Sequence, residues 1–216
     1  MNAVISPVDT KTRILDAAEL IFSQDGFDAA SLRTITAAAQ VNLAAVNYHF
    51  HSKEALFCAV IARRAAPVNK RRLELLELIT GKPTLERILE AFLRPVMDKA
   101  STGIACFRPL MARLHSVPLE LHTRILEENF VPTLNRFVDV LSQALPLASK
   151  EQLKLGMFFV IGSMAQTMAW EPVIKSITVK GTGQLHGEDF LARLVTFGAA
   201  GLRAMPPKIV SKRVNN

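Results

Sequence analysis

Residues 42–56, Asn-Leu-Ala-Ala-Val-Asn-Tyr-His-Phe-His-Ser-Lys-Glu-Ala-Leu, constrain the fold more than any other stretch of this 216-residue chain. They read as a helix of about two turns that stops where a new helix starts at Ser52. Upstream, Ser31 to Ala39 reads as a second short helix, and Gln40-Val41-Asn42 leaves room only for a tight turn. Within the short helix after the turn, Val46 and Phe50 are placed to lock inward, while Asn47, Tyr48 and His49 gather beside the small residues Ala44 and Ala45. A chain with this segment is built around a helix-turn-helix.

The rest of the sequence is helical in the same way. Aromatic residues are 6% of the chain and half the residues are apolar, which favours a sizeable core of packed helices. A first helix from about Thr10 to Gln24 carries Ile14, Ala18, Ile21 and Phe22 on one face and ends at Gly26. Ser52 caps a long helix to about Thr80, with a kink or break expected at Pro67, and Gly81-Lys82-Pro83 is a stop. Helices follow from Thr84 to about Ser101, from Ile104 to Ser116, and from Pro118 to Leu145 with a bend at Pro132. Ser149 and Gln152 form a capping box ahead of a helix to Trp170. A polar, Gly-rich loop at 178–187 precedes a last helix, Glu188 to Ala204. The expected fold is all-α with about nine helices. Its domains are a helix-turn-helix head over 1–52, a larger helical bundle over 53–204, and a basic tail over 205–216.

The net charge of +7 is uneven: residues 1–54 hold four Lys or Arg against six Asp or Glu, a net of −2. Any nucleic acid bound there must be held by a few placed cations and helix N-termini rather than by bulk charge. Residues 1–8 lack the charged head and apolar run of a secretion signal. Leu155 to Trp170 is too short and too interrupted to span a bilayer, and reads as a fully buried helix. Cys58 and Cys106 have no metal-ligand spacing and are expected as buried free thiols in a cytoplasmic setting. His49, His51 and Cys58 are not a zinc set, and no nucleophile elbow, phosphate loop or paired carboxylates appear, so no enzyme, metal or cofactor is expected.

The chemistry therefore rests on the helix after the turn. Asn47 has the donor and acceptor pair that bonds an adenine edge in the major groove, Tyr48 and His49 can donate to phosphates, and Lys53 adds a charge and a helix N-terminus. The residues from about Lys11 to Leu56 resemble the DNA-binding head of the TetR family of bacterial one-component regulators. The likeness lies in Arg13 to Phe22, Gly26-Phe27, Ser31 to Ile35, and Tyr48-His49-Phe50-His51-Ser52-Lys53-Glu54-Ala55-Leu56. It implies DNA contacts at Ser31, Arg33, Asn42, Leu43, Ala44, Asn47, Tyr48, His49 and Lys53. It also implies a ligand-released repressor that binds a pseudo-palindromic operator as a dimer, with a small-molecule inducer in the larger part. Gln40 stands where the family usually has glycine, and Asn47 replaces a frequent tyrosine, which implies a different base preference. Val41 to Phe50 resembles a fatty-acid-responsive subgroup, implying an acyl inducer.

Small residues on the last two helices (Gly156, Gly162, Ser163 and Ala165, then Gly198 to Gly201) suit close helix approach, and a four-helix homodimer interface with a second copy is expected there. An adaptable apolar lining is expected from Phe92, Met97, Phe107, Met111, Phe130, Phe137, Met164 and Trp170, with Arg108 and Arg113 available for an acidic headgroup. A helical lipid-binding protein without specific DNA reading is the alternative; it leaves the Asn47-Tyr48-His49 face without a purpose.

Overall fold

The computed structural model describes residues 9–97, 104–114, 117–178 and 187–205. Among them every regular element is a helix: α1 (Thr10–Ala29), α2 (Leu32–Ala39), α3 (Leu43–Phe50), α4 (Lys53–Glu77), α5 (Leu85–Met97), α6 (Ile104–Arg113), α7 (Leu119–Asn129), α8 (Val131–Ala144), α9 (Lys150–Ala169), α10 (Glu171–Thr178) and α11 (Gly187–Ala204). They form two compact units that do not follow chain order. One holds residues up to Pro67 with Thr102–Asn129; the other holds Val68–Ser101 with Phe130 onward.

Among the described residues eleven helices replace the expected nine, and prolines account for both additions. The stretch expected as one bent helix from Pro118 to Leu145 is two, α7 and α8, divided at Phe130. Pro132 has no N–H to return to the carbonyl four residues back, so the chain starts afresh with Pro132 in the first turn and Leu134 N bonded to Phe130 O at 2.9 Å. The same device makes α10: Pro172 is its second residue, and Ile174 N bonds Trp170 O at 2.8 Å. Pro67 behaves differently. It lies within a continuous α4, on an exposed face where water can take the hydrogen bond its nitrogen cannot make. Gly26 breaks α1 as expected, at φ +82°, although helical turns resume to Ala29.

The first unit packs around Phe22, Phe27 and Phe57, with Phe22 and Phe57 edge to face at 4.9 Å between centroids. Ile14, Ile35, Val46 and Phe50 are buried around them, so α1, α2 and α3 share one interior with the start of α4. Glu19 is also buried there, but its carboxylate is bound by the guanidinium groups of Arg63 and Arg64, and Arg63 reaches Asp16 at 2.7 Å. That charge is compensated in place. Cys58, expected as a buried thiol, is free and half-buried, with Arg124 Nη2 donating to its sulfur at 3.4 Å. The side chain of Cys106 lies outside the described residues.

The second unit packs α5, α8, α9 and α11 around an edge-to-face pair, Phe92 and Phe137, at 5.0 Å. Gly156 and Gly198 set the spacing of its helices. A Cβ on Gly156 would meet Leu202 and come within 2.7 Å of Met205 Sδ, and one on Gly198 would lie 3.0 Å from Val160 Cγ2. Contrary to the sequence reading, α9 is not fully buried: Phe158 is 50% and Phe159 61% exposed. No described helix is long and apolar enough to cross a membrane. The polar loop expected at 178–187 and the basic tail fall almost wholly outside the described residues.

Candidate nucleic-acid interface

The helix-turn-helix is built by caps. Ser31 closes the start of α2, its Oγ accepting from Thr34 N at 3.0 Å. At the other end Gln40 takes the left-handed conformation (φ 53°, ψ 47°); its N–H bonds Ala37 O, and Val41 N bonds Thr36 O. This is the paired closure that usually has glycine at the left-handed position. A side chain there costs about 1–2 kcal/mol. Arg13 on α1 offsets the strain, with Nη2 donating to Ala39 O at 2.6 Å and Gln40 O at 2.9 Å. Asn42 then caps α3, its Oδ1 accepting from Ala45 N at 2.8 Å.

A second strained residue closes α3. His51 has φ 66° and ψ −41°, and Ser52 N bonds Phe50 O at 2.8 Å, a γ-turn about His51. Ser52 goes straight on to cap α4 through Ala55 N at 3.1 Å. Glu54, in the first turn of α4, is held below the usual carboxylate range by its own backbone N–H and then by the Ser52 hydroxyl. Thus α3 is fixed at both ends by caps and by residues with positive φ, and strain of this kind collects at functional sites.

Between these fixed ends, Val46 and Phe50 are buried and the opposite face is open. Leu43, Ala44, Asn47 and Tyr48 are exposed, Tyr48 by 79%, and i,i+4 spacing puts Leu43 beside Asn47 and Ala44 beside Tyr48. Ser31 and Arg33 are exposed on α2. Two residues stand apart from this group. His49 is half-buried between the rings of Tyr48 and Phe50. Lys53 folds back on α1, its Nζ 3.3 Å from Asp28 O and 4.5 Å from the centroid of Phe27. Asn42 already spends an acceptor on capping, which leaves its amide donors for any outside partner, whereas the Ser31 hydroxyl both accepts from Thr34 N and shares a 2.7 Å hydrogen bond with Thr34 Oγ1.

Comparison with known families agrees with this geometry. Residues 14–60 match the model described as bacterial regulatory proteins, tetR family, and residues 90–201, over half the chain, match the tetracyclin repressor-like C-terminal domain. The chain belongs to the TetR family. The Escherichia coli K12 HTH-type transcriptional regulator UidR is 46% identical over 52 residues, which cover 24% of this chain and 26% of UidR. HdnoR of Paenarthrobacter nicotinovorans, a nicotine-responsive transcriptional repressor, is 43% identical over 58 residues, 27% of this chain and 30% of HdnoR. The chain thus spans about a quarter to a third of the length of these curated relatives. Solved TetR-family structures share the fold at low identity. PfmR from Thermus thermophilus has 18% identity and a TM-score of 0.57, covering 90% of this chain and 99% of its own. A TetR-like regulator from a Rhodococcus species has 17% and 0.64, covering 93% and 100%.

The residues expected to line a ligand site are divided between the two units of this TetR-family chain. Phe107, Arg108, Met111 and Arg113 belong to the first unit; Phe92, Met97, Phe130, Phe137, Met164 and Trp170 belong to the second. Phe92 and Phe137 are the core pair and Met164 is buried, whereas Met97 and Phe130 are half-buried and Trp170 is 54% exposed. Arg113, expected to meet a headgroup, is exposed and donates to Gln24 O at 2.8 Å, which closes the α1 carbonyls just before Gly26. The basic residue that the sequence reading missed is Arg72, buried in the second unit with its Nε 2.9 Å from Phe92 O. Its place inside a basic run, Lys70-Arg71-Arg72, hid it among solvated charges. Among the described residues no group of three or more His, Cys, Asp or Glu is arranged to hold a metal.

Proposed function

We propose that this protein is a DNA-binding transcriptional repressor that acts as a homodimer and is released from its operator by a small apolar, acyl-type ligand. The observation that carries the reading is the exposed Asn47–Tyr48 face of α3, held by caps at both ends over a buried Val46 and Phe50. A preorganised short helix with a polar outer face suits insertion into the major groove, Asn47 reading a base and Tyr48, Ser31, Arg33 and Asn42 taking phosphates. Lys53 joins them by swinging away from Asp28. The names of UidR and HdnoR support regulation of transcription as the role.

The assembly uses α9 and α11. Their outward residues include Phe158, Phe159 and Phe197, the last 66% exposed, and a Cβ on Gly162 or Gly201 would meet nothing within 4 Å. So Gly156 and Gly198 serve packing within the chain, while Gly162, Gly201 and the aromatic residues remain for a second copy. Two heads would meet half-sites about one turn, roughly 34 Å, apart. Ligand binding would favour a state with a mismatched spacing, and by linkage operator DNA must weaken ligand binding by the same factor.

The test is selection of bound sequences from a random duplex pool at two salt concentrations. Enrichment of a two-fold-related motif is expected. Salt-sensitive binding with no enrichment would reject the operator reading.

A further inference from the structure

The second unit buries a cation that the described residues do not neutralise. Arg72 is 4% exposed, and among the described residues no carboxylate lies within ion-pair reach of it. Its guanidinium lies over the Phe92 ring at 3.9 Å, its Nε donates to Phe92 O at 2.9 Å, and its Nη1 donates to Asn69 Oδ1 at 3.3 Å. These contacts fix the plane and use two of the five N–H donors; both donors on Nη2 are among those left. Three other arginines of the same unit have carboxylate partners. Arg71 has Glu74, Arg94 has Glu90 and Glu188, and Arg203 has Glu86, although all three lie nearer water.

Burial pushes Arg72 down to about 9, so it still carries its proton at neutral pH. A charge taken out of water without a counter-charge is costly, and a neutral amide side chain would tie α4 to the Phe92 carbonyl at less cost. Among the described residues no anion answers this charge. One guanidinium balances one negative charge, which fits a carboxylate better than a dianionic phosphate, and the fork of N–H groups matches two carboxylate oxygens. The Phe92 ring under the guanidinium is apolar and buried, and it packs edge to face on the buried Phe137.

We infer that Arg72 is the anchor for the carboxylate of an apolar organic acid, and that this acid is the effector class of the protein. The inference rests on the reading of the second unit as the ligand-responsive part. Arg72 holds the headgroup, and the apolar chain displaces side chains around the Phe92–Phe137 pair.

The experiment uses the full chain with octanoate, dodecanoate and phenylacetate, each against its uncharged amide, in calorimetry and thermal unfolding, and separately measures release of operator DNA. At least one acid should bind and raise Tm while its amide does so far more weakly. Arg72→Met should weaken that acid by roughly 30-fold or more. It should leave the Tm of the unliganded protein unchanged or raised, because an uncompensated buried charge is gone. Arg72→Lys, which keeps charge but loses the fork, should fall between, and it decides the matter if the methionine variant does not fold. Three results would overturn the assignment: no acid binding to the wild type, equal binding of acid and amide, or acid binding that survives both substitutions. Acid binding that leaves operator DNA bound would instead reject ligand release while keeping Arg72 as the anchor.

Discussion

Two open faces of this chain are made in opposite ways. The face on α2 and α3 is largely polar, with Ser31, Arg33, Asn47 and Tyr48 around Leu43 and Ala44, and is locked by caps, by the left-handed Gln40 and by the turn at His51. The face on α9 and α11 is apolar and regular, with Phe158, Phe159 and Phe197 standing out from helices that need no special backbone. A surface that must fit base edges needs its backbone fixed before the partner arrives, since ordering on contact costs affinity. A surface that packs on its own copy can rely on buried area and shape. The contrast predicts that each face can be damaged without the other.

The largest effect should come from the apolar face. Phe159→Asp places a charge where an aromatic ring should be covered, and sedimentation should then find monomer. Operator affinity should fall by roughly 10²–10⁴, the gain that linked sites bring, while circular dichroism stays as in the wild type. A dimer that persists would remove α9 from the interface. Next is Asn47→Ala, expected to cost about 1–3 kcal/mol on the preferred duplex with no change in sedimentation. Lys53→Ala should be milder, weakening all duplexes alike and lowering the slope of log affinity against log salt by about 1. The smallest effect belongs to the turn. Gln40→Gly relieves the left-handed conformation and should raise unfolding stability by about 0.5–1 kcal/mol, net of the entropy glycine adds to the unfolded chain. Neither assembly nor base preference should follow it.

The polar face is legible in the sequence because its device is local. Ser31, Asn42 and Ser52 each cap the helix that begins beside them, and Ser149 with Gln152 closes the capping box expected of it. The apolar face is half legible. Small residues mark α9 and α11, but a run as apolar as Leu155 to Trp170 cannot state which of its sides the chain itself covers, so its exposed phenylalanines read as core. Pro132 reads as a bend and Pro172 gives no clear signal, yet their place in the first turn starts a new helix in both cases. Arg72 is out of reach. Its neighbour Arg71 is exposed, and the burial of one but not the other depends on how α5 meets α4 through Phe92, a contact between residues twenty apart.

Whether the capped α3 reads DNA through Asn47 is decided by the selection of bound duplexes run side by side with wild type and Asn47→Ala. A two-fold-related motif is expected for both, with preference at one position in each half-site relaxed in the variant and the half-site spacing unchanged. An identical base preference in the two proteins would contradict it.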